Sequence, residues 1–96
     1  RDYFLFDLGM ATQNLMLQAT ELGLVARPMA GFKPAVIREA FGIPESFTIL
    51  VLIAVGYEGD LSTLKESHQK VSVAPRTRNP PDENFFFNQF KEPDAP

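Results

Sequence analysis

The sequence predicts a mixed fold of helices and strands, of either the α/β or the α+β class. Residues 2–22 carry apolar side chains at helical spacing. Residues 34–41 show the same spacing, with Pro34 marking a helix start and Gly42 and Pro44 marking its end. Residues 47–57 form a nearly continuous apolar run that is rich in branched side chains. The predicted order along the chain is therefore helix, short strand, helix, long strand and tail.

The first helix is predicted over Asp2 to Leu22, and Gly23 is the residue that ends it. Apolar residues occupy two sides of this helix and leave only a narrow polar strip. The apolar residues are Phe4, Leu8, Ala11, Leu15, Ala19 and Leu22 on one side and Phe6, Met10 and Leu17 on the other. Covering two sides needs more surface than so short a chain supplies, so we expect a partner subunit or a missing stretch of chain.

The middle of the chain predicts a strand, a helix and a longer strand. Residues 24–29 are expected to be extended, and the following helix is predicted from Pro34, a residue that suits a first helical turn, to Phe41. Gly42 then ends that helix. The run from Phe47 to Tyr57 shows no clear alternation of polar and apolar residues, which is typical of a central strand covered on both faces.

The last third of the chain changes character. A weak amphipathic helix is predicted over Leu61 to Gln69. From Ala74 onward, prolines, charges and a phenylalanine cluster indicate an extended tail with aromatic anchors. We therefore divide the chain into residues 1–75 and a tail of residues 76–96.

Composition limits the function. The 96 residues are 45% hydrophobic with 9 phenylalanines, which indicates a globular chain of one domain at most. The net charge of −3 argues against nucleic-acid binding, which needs clusters of Lys and Arg. The chain has no cysteine, so disulfides and thiolate metal sites are excluded, and we expect a cytoplasmic protein. The longest apolar run falls far short of the ~20 residues of a membrane-spanning helix, so no membrane partner is expected.

Few side chains offer catalytic chemistry. His68 has no further metal ligands at a suitable spacing, and no serine has a nucleophile motif, so we nominate no catalytic residue.

Arg76 and Arg78 are the strongest candidates for a binding site. Side chains two apart on an extended segment point the same way, so both guanidiniums can reach one anion such as a phosphate. On the residues alone, a solvated basic turn is the alternative.

Several short motifs occur in one order along the chain. They are Asp7-x-Gly9-x-Ala11-x-x-Asn14-Leu15, Pro28-Met29-Ala30-Gly31-Phe32, Phe41-Gly42-Ile43-Pro44, Ile53-Ala54-Val55-Gly56-Tyr57 and Arg76-Thr77-Arg78-Asn79-Pro80. Together they resemble the C-terminal half of the nitroreductase family of FMN-dependent oxidoreductases. The resemblance implies an α+β fold with central helices, a mixed sheet and a two-fold homodimer that binds FMN at its interface.

The resemblance also implies roles for particular residues. The segment Pro28-Met29-Ala30-Gly31 is expected to run along the flavin and to present backbone amides near its reactive nitrogen, with Gly31 allowing a close approach. Locally, an ordinary β-to-α turn is the alternative. Arg76 and Arg78 are expected to contact the FMN phosphate, and the phenylalanine cluster is expected to anchor the tail on the partner subunit.

The activity implied by the resemblance is ping-pong hydride transfer. NAD(P)H would reduce FMN, and a small electron acceptor such as a nitroaromatic or a quinone would then reoxidise it. Several relatives have an acidic residue where this chain has Ala30, so acceptor specificity is not carried over. The Arg/Ser-rich N-terminal segment of the family does not occur in this sequence. A non-catalytic remnant or assembly module of the same fold is therefore the alternative.

Overall fold

A computed structural model describes residues 2–92, which divide into two compact units, 2–59 and 60–92. The elements of the first unit are α1 (Phe4–Glu21), β1 (Val25–Met29), α2 (Pro34–Phe41) and β2 (Leu52–Gly56). The predicted boundary after residue 75 falls inside the second unit and stays a prediction. Residues 93–96 of the predicted tail lie outside the described residues.

Helix α1 confirms the first predicted helix and the glycine that ends it. Gly23 has a φ of 74°, a left-handed conformation that glycine adopts without the steric penalty of a Cβ. The Gly23 N–H donates to the Thr20 carbonyl at 3.0 Å, and the Leu24 N–H donates to the Ala19 carbonyl at 2.8 Å. These two bonds satisfy carbonyls at the end of the helix and turn the chain directly into β1.

The sheet of the described residues is an antiparallel pair of β1 and β2. Its register joins Val25 to Gly56 at one end and Met29 to Leu52 at the other, with Pro28 opposite Ile53. The predicted strand over residues 47–57 was therefore too long at its start. Because β1 ends at Met29, the residues before Leu52 have no neighbouring strand in the described part of the chain.

Helix α2 has the predicted bounds. Pro34 lies in its first turn, and Gly42 ends it with a φ of 64°. Beyond the helix, the Arg38 guanidinium donates from Nη1 to the Pro44 carbonyl at 2.9 Å, and its Nε lies 3.8 Å from Oε2 of Glu45. The side chain of Arg38 thus ties the helix to the loop that follows.

Apolar side chains of the first unit remain largely exposed. Ala19, on α1, is the one hydrophobic residue among those described that is buried, with 5% of its surface exposed. On the same helix, Phe6 and Leu17 are 66% and 60% exposed. The predicted cover on both faces of β2 is absent within the described residues, where Ala54 and Val55 are exposed. This unit therefore presents apolar surface on both its helix and its sheet.

The second unit differs from the single helix predicted over residues 61–69. It contains a 3₁₀ helix at Leu61–Thr63, helix α3 at Glu66–Val73 and another 3₁₀ helix at Pro81–Glu83. The break arises because Leu64 and Lys65 are extended, so the α-helix begins only at Glu66. In the tail, the rings of Phe86 and Phe90 pack edge to face with their centroids 5.0 Å apart.

Candidate functional site

A groove of about 440 Å³ lies between α1 and the chain segments at one end of the β1–β2 pair. Leucine, methionine, proline, alanine and valine side chains make up most of its wall. The lining residues are Leu5, Leu8, Gly9, Thr12, Gln13, Met16, Pro28, Met29, Ala30, Leu50 and Val51.

Local sequence explains why these residues meet. Leu5, Leu8, Gly9, Thr12 and Met16 are spaced by three and four along α1, so they share one face of the helix. The turn at the end of α1 sends β1 back alongside the helix. The pairing of Met29 with Leu52 then places the segment before β2 beside the end of β1.

The structure brings most of the predicted flavin-binding loop to this groove. Pro28, Met29 and Ala30 line it, whereas Gly31 lies just beyond the lining. The amides of Ala30 and Gly31 follow the last paired residue of β1 and donate to no carbonyl within the described residues. Two successive backbone donors, one on a groove-lining residue and one on the residue after it, therefore have no acceptor within the described residues.

Gly31 has no structural requirement for glycine within the described residues. A Cβ built at this position meets no atom within 4 Å, and its φ is not in the left-handed region. The close approach that the sequence predicts for Gly31 involves no other group within the described residues. That role stays a prediction.

The sequence analysis assigned no binding role to Thr12 or Gln13. These two are the groove-lining residues with polar side chains. Thr12 is half-buried, and neither side chain makes a hydrogen bond within the described residues. Helical spacing could have indicated that Thr12 lines the groove, since it lies four residues after Leu8 and so shares its face of the helix.

The predicted phosphate ligands lie in the second unit. Arg76 and Arg78 are exposed and occupy the segment between α3 and the 3₁₀ helix Pro81–Glu83, which has no helix or strand. Nη1 of Arg78 donates to the neighbouring Thr77 carbonyl at 2.8 Å. Their convergence on one anion stays a prediction.

One carboxylate has a clear electrostatic perturbation. The Ser62 backbone N–H and then the Ser62 hydroxyl, each 2.8 Å from Oδ1, hold the pKa of the Asp60 carboxyl below its usual value of 3.8.

Within residues 2–92, no group of three or more His, Cys, Asp or Glu side chains could hold a metal ion. No helix in that range is long and apolar enough to cross a bilayer.

Comparison with known proteins identifies the class of protein. The fold is similar to the crystal structure of an oxidoreductase containing FMN, with a TM-score of 0.77 and 31% identity over 91% of this chain and 43% of that chain. The two therefore share an α+β flavin oxidoreductase fold, as predicted. The sequence model of the Nitroreductase family matches residues 1–57. The chain belongs to the nitroreductase family, which confirms the resemblance.

Two relatives show how much of a longer protein this chain represents. It is 37% identical over 79 residues to an uncharacterized 15.4 kDa protein in the ask 5′ region of Mycolicibacterium smegmatis, covering 79% of this chain and 51% of that protein. It is 38% identical over 56 residues to protein DrgA of Synechocystis sp., covering 58% of this chain and 27% of that protein. The chain thus spans about half of the first relative and less of the second. All groove-lining residues fall within the region that matches the family, whereas Arg76 and Arg78 lie beyond it.

Proposed function

We propose that this chain is part of an FMN-dependent NAD(P)H oxidoreductase that reduces nitroaromatic or quinone-type acceptors. Membership of the nitroreductase family supports flavin oxidoreductase chemistry in general. The observation that carries the proposal for this chain is the apolar groove bounded by Pro28, Met29 and Ala30. It lies beside the segment for which the sequence predicts contact with the flavin ring.

The residues present suit the cofactor. A groove of about 440 Å³ falls within the range of about 300–1,000 Å³ that is usual for small-molecule and cofactor sites. Its apolar walls match a planar ring system. The unused N–H groups of Ala30 and Gly31 supply donors for a ring nitrogen or oxygen. The groove and its loop therefore fit the flavin ring.

The chain's own residues would bind and orient the cofactor. FMN, when bound, supplies the hydride-accepting and hydride-donating chemistry. Pro28 and Met29 would support the ring, and the α1 side of the groove would shield it from water. Arg76 and Arg78 would hold the phosphate, because paired guanidiniums can donate several hydrogen bonds to its oxygens. No residue of this chain is assigned as a general acid or base.

We also propose that the site is completed by a second chain, either a homodimer mate or an N-terminal half. Phe6, Met10 and Leu17 follow each other by four and seven residues along α1, and all three are exposed. Apolar surface of this kind gains free energy when a partner covers it. The partner's surface would also enclose the groove from outside this chain.

The purified protein provides the test. We expect it to carry an oxidised-flavin absorbance spectrum, either as isolated or after FMN is added, that bleaches with NADH or NADPH. A nitroaromatic or a quinone should then restore the spectrum. A dimeric protein that is colourless and takes up no added FMN would contradict the proposal and favour a non-catalytic assembly module. Comparing the bleaching rates with NADH and NADPH identifies the nicotinamide donor.

A further inference from the structure

Two adjacent polar side chains of α1 stand out in the groove because their hydrogen-bonding groups are unused. Thr12 is half-buried among apolar groove residues, and a hydroxyl in such a position is stabilised by a hydrogen-bond partner. The Gln13 amide, on the next residue, offers a donor and an acceptor together. Neither side chain has a partner within the described residues.

The same helix shows what these residue types do when no ligand is involved. The Thr20 hydroxyl donates to the Met16 carbonyl one turn earlier, at 3.1 Å, which is the usual internal bond of a helical threonine. Thr12 makes no corresponding bond to the Leu8 carbonyl. Gln18 is exposed, as Gln13 is, but it lies outside the groove. Thr12 and Gln13 therefore differ from Thr20 and Gln18 in that they line a groove large enough for a small-molecule ligand.

We propose that Thr12 and Gln13 hydrogen-bond the polar edge of the flavin ring system in this groove. This inference rests on the proposed function, because it assumes that the groove holds the flavin. The ring is apolar at its dimethylbenzene end and carries two carbonyl oxygens and an N–H at the opposite end. A hydroxyl beside a primary amide matches that donor and acceptor pattern, while the leucines and methionines suit the apolar end.

The test uses substitutions that remove hydrogen bonding and nearly preserve shape. Thr12→Val and Gln13→Leu are compared with the matched controls Thr20→Val and Gln18→Leu on the same helix, and Thr12→Ser restores the hydroxyl. Circular dichroism checks that every variant retains its helix. Dissociation constants are measured by flavin fluorescence for FMN and for riboflavin, which has the same ring without the phosphate. The Gln13 side-chain amide is followed by NMR during the FMN titration.

Thr12→Val and Gln13→Leu are each expected to weaken binding of both flavins by about fivefold to tenfold, the effect of one lost hydrogen bond. The two controls and Thr12→Ser should stay within about twofold of the original chain, a change well under 1 kcal/mol. Flavin binding that is equally strong in Thr12→Val, Gln13→Leu and the controls would overturn the inference and leave the proposed function standing. Failure of the original chain to bind either flavin, with no shift of the Gln13 amide, would overturn both.

Discussion

Arg38 and Pro44 are joined by a hydrogen bond of 2.9 Å from the guanidinium Nη1 to the backbone carbonyl oxygen. The bond spans the end of α2 and holds the loop that leads toward β2. The Arg38 side chain is only 19% exposed, whereas that of its ion-pair partner Glu45 is 94% exposed. The bond to the carbonyl, rather than the ion pair, is therefore the stronger restraint on this loop.

Replacement of Arg38 by alanine should lower the free energy of unfolding by about 1 kcal/mol, because it removes a charge-assisted hydrogen bond. Glu45→Gln should cost no more than about 0.5 kcal/mol, because the exposed ion pair is screened by water. Urea unfolding of both variants measures the difference. Equal losses in the two would show that the ion pair matters as much as the carbonyl bond.

Gly23→Ala tests the turn at the end of α1. With a φ of 74°, this position forces an alanine Cβ into a strained conformation that costs about 1–2 kcal/mol. Gly59→Ala is the matched control, because its added Cβ meets no atom within 4 Å and its φ is not left-handed. Thermal unfolding followed by circular dichroism should show a lower midpoint for the first variant alone.

Gly31→Ala separates folding from ligand binding. The added Cβ meets nothing within 4 Å, so unfolding should change by less than about 0.5 kcal/mol. FMN binding should weaken by about fivefold, since the methyl group holds the ring away from the neighbouring amides. Fluorescence titration gives the affinity. A variant that unfolds easily but binds FMN normally would place the role of this glycine in the fold.

Arg76→Gln and Arg78→Gln address the phosphate. Each should weaken FMN binding by about tenfold to a hundredfold, as expected for a lost charge-assisted hydrogen bond, and leave riboflavin binding unchanged. Lys91→Gln removes a positive charge from the same unit and serves as the control. If riboflavin and FMN lose affinity equally, the arginines do not contact the phosphate.

Asp60 should give a pH-dependent signal in the 3₁₀ helix that it caps. Its pKa is lowered by the hydrogen bonds from Ser62, so the stabilisation is complete above the ordinary value of 3.8 and is lost as the pH falls through the lower, folded-state value. The Ser62 amide proton, followed by NMR, should titrate with a midpoint below 3.8. Asp60→Asn should abolish this titration, and a midpoint above 3.8 would contradict the assignment.

Elements that end in local signals were predictable from the sequence. Both bounds of α2 and the end of α1 follow from Pro34, Gly23 and Gly42, because these residues act on the backbone next to them. The length of β2 was not predictable, since it depends on where β1 ends far away in the sequence. The loop segment of the groove was identified from its own motif. Thr12 was missed, because its place in the groove depends on which face of α1 meets the sheet.

The position of Pro28 opposite Ile53 has a consequence for any larger sheet. A proline nitrogen cannot donate to a neighbouring strand, so proline within sheets is confined to strands at the border. Additional strands, from another part of the protein or a second chain, should therefore join along the open side of β2. The two-stranded sheet would then grow in one direction only, with β1 as its edge strand.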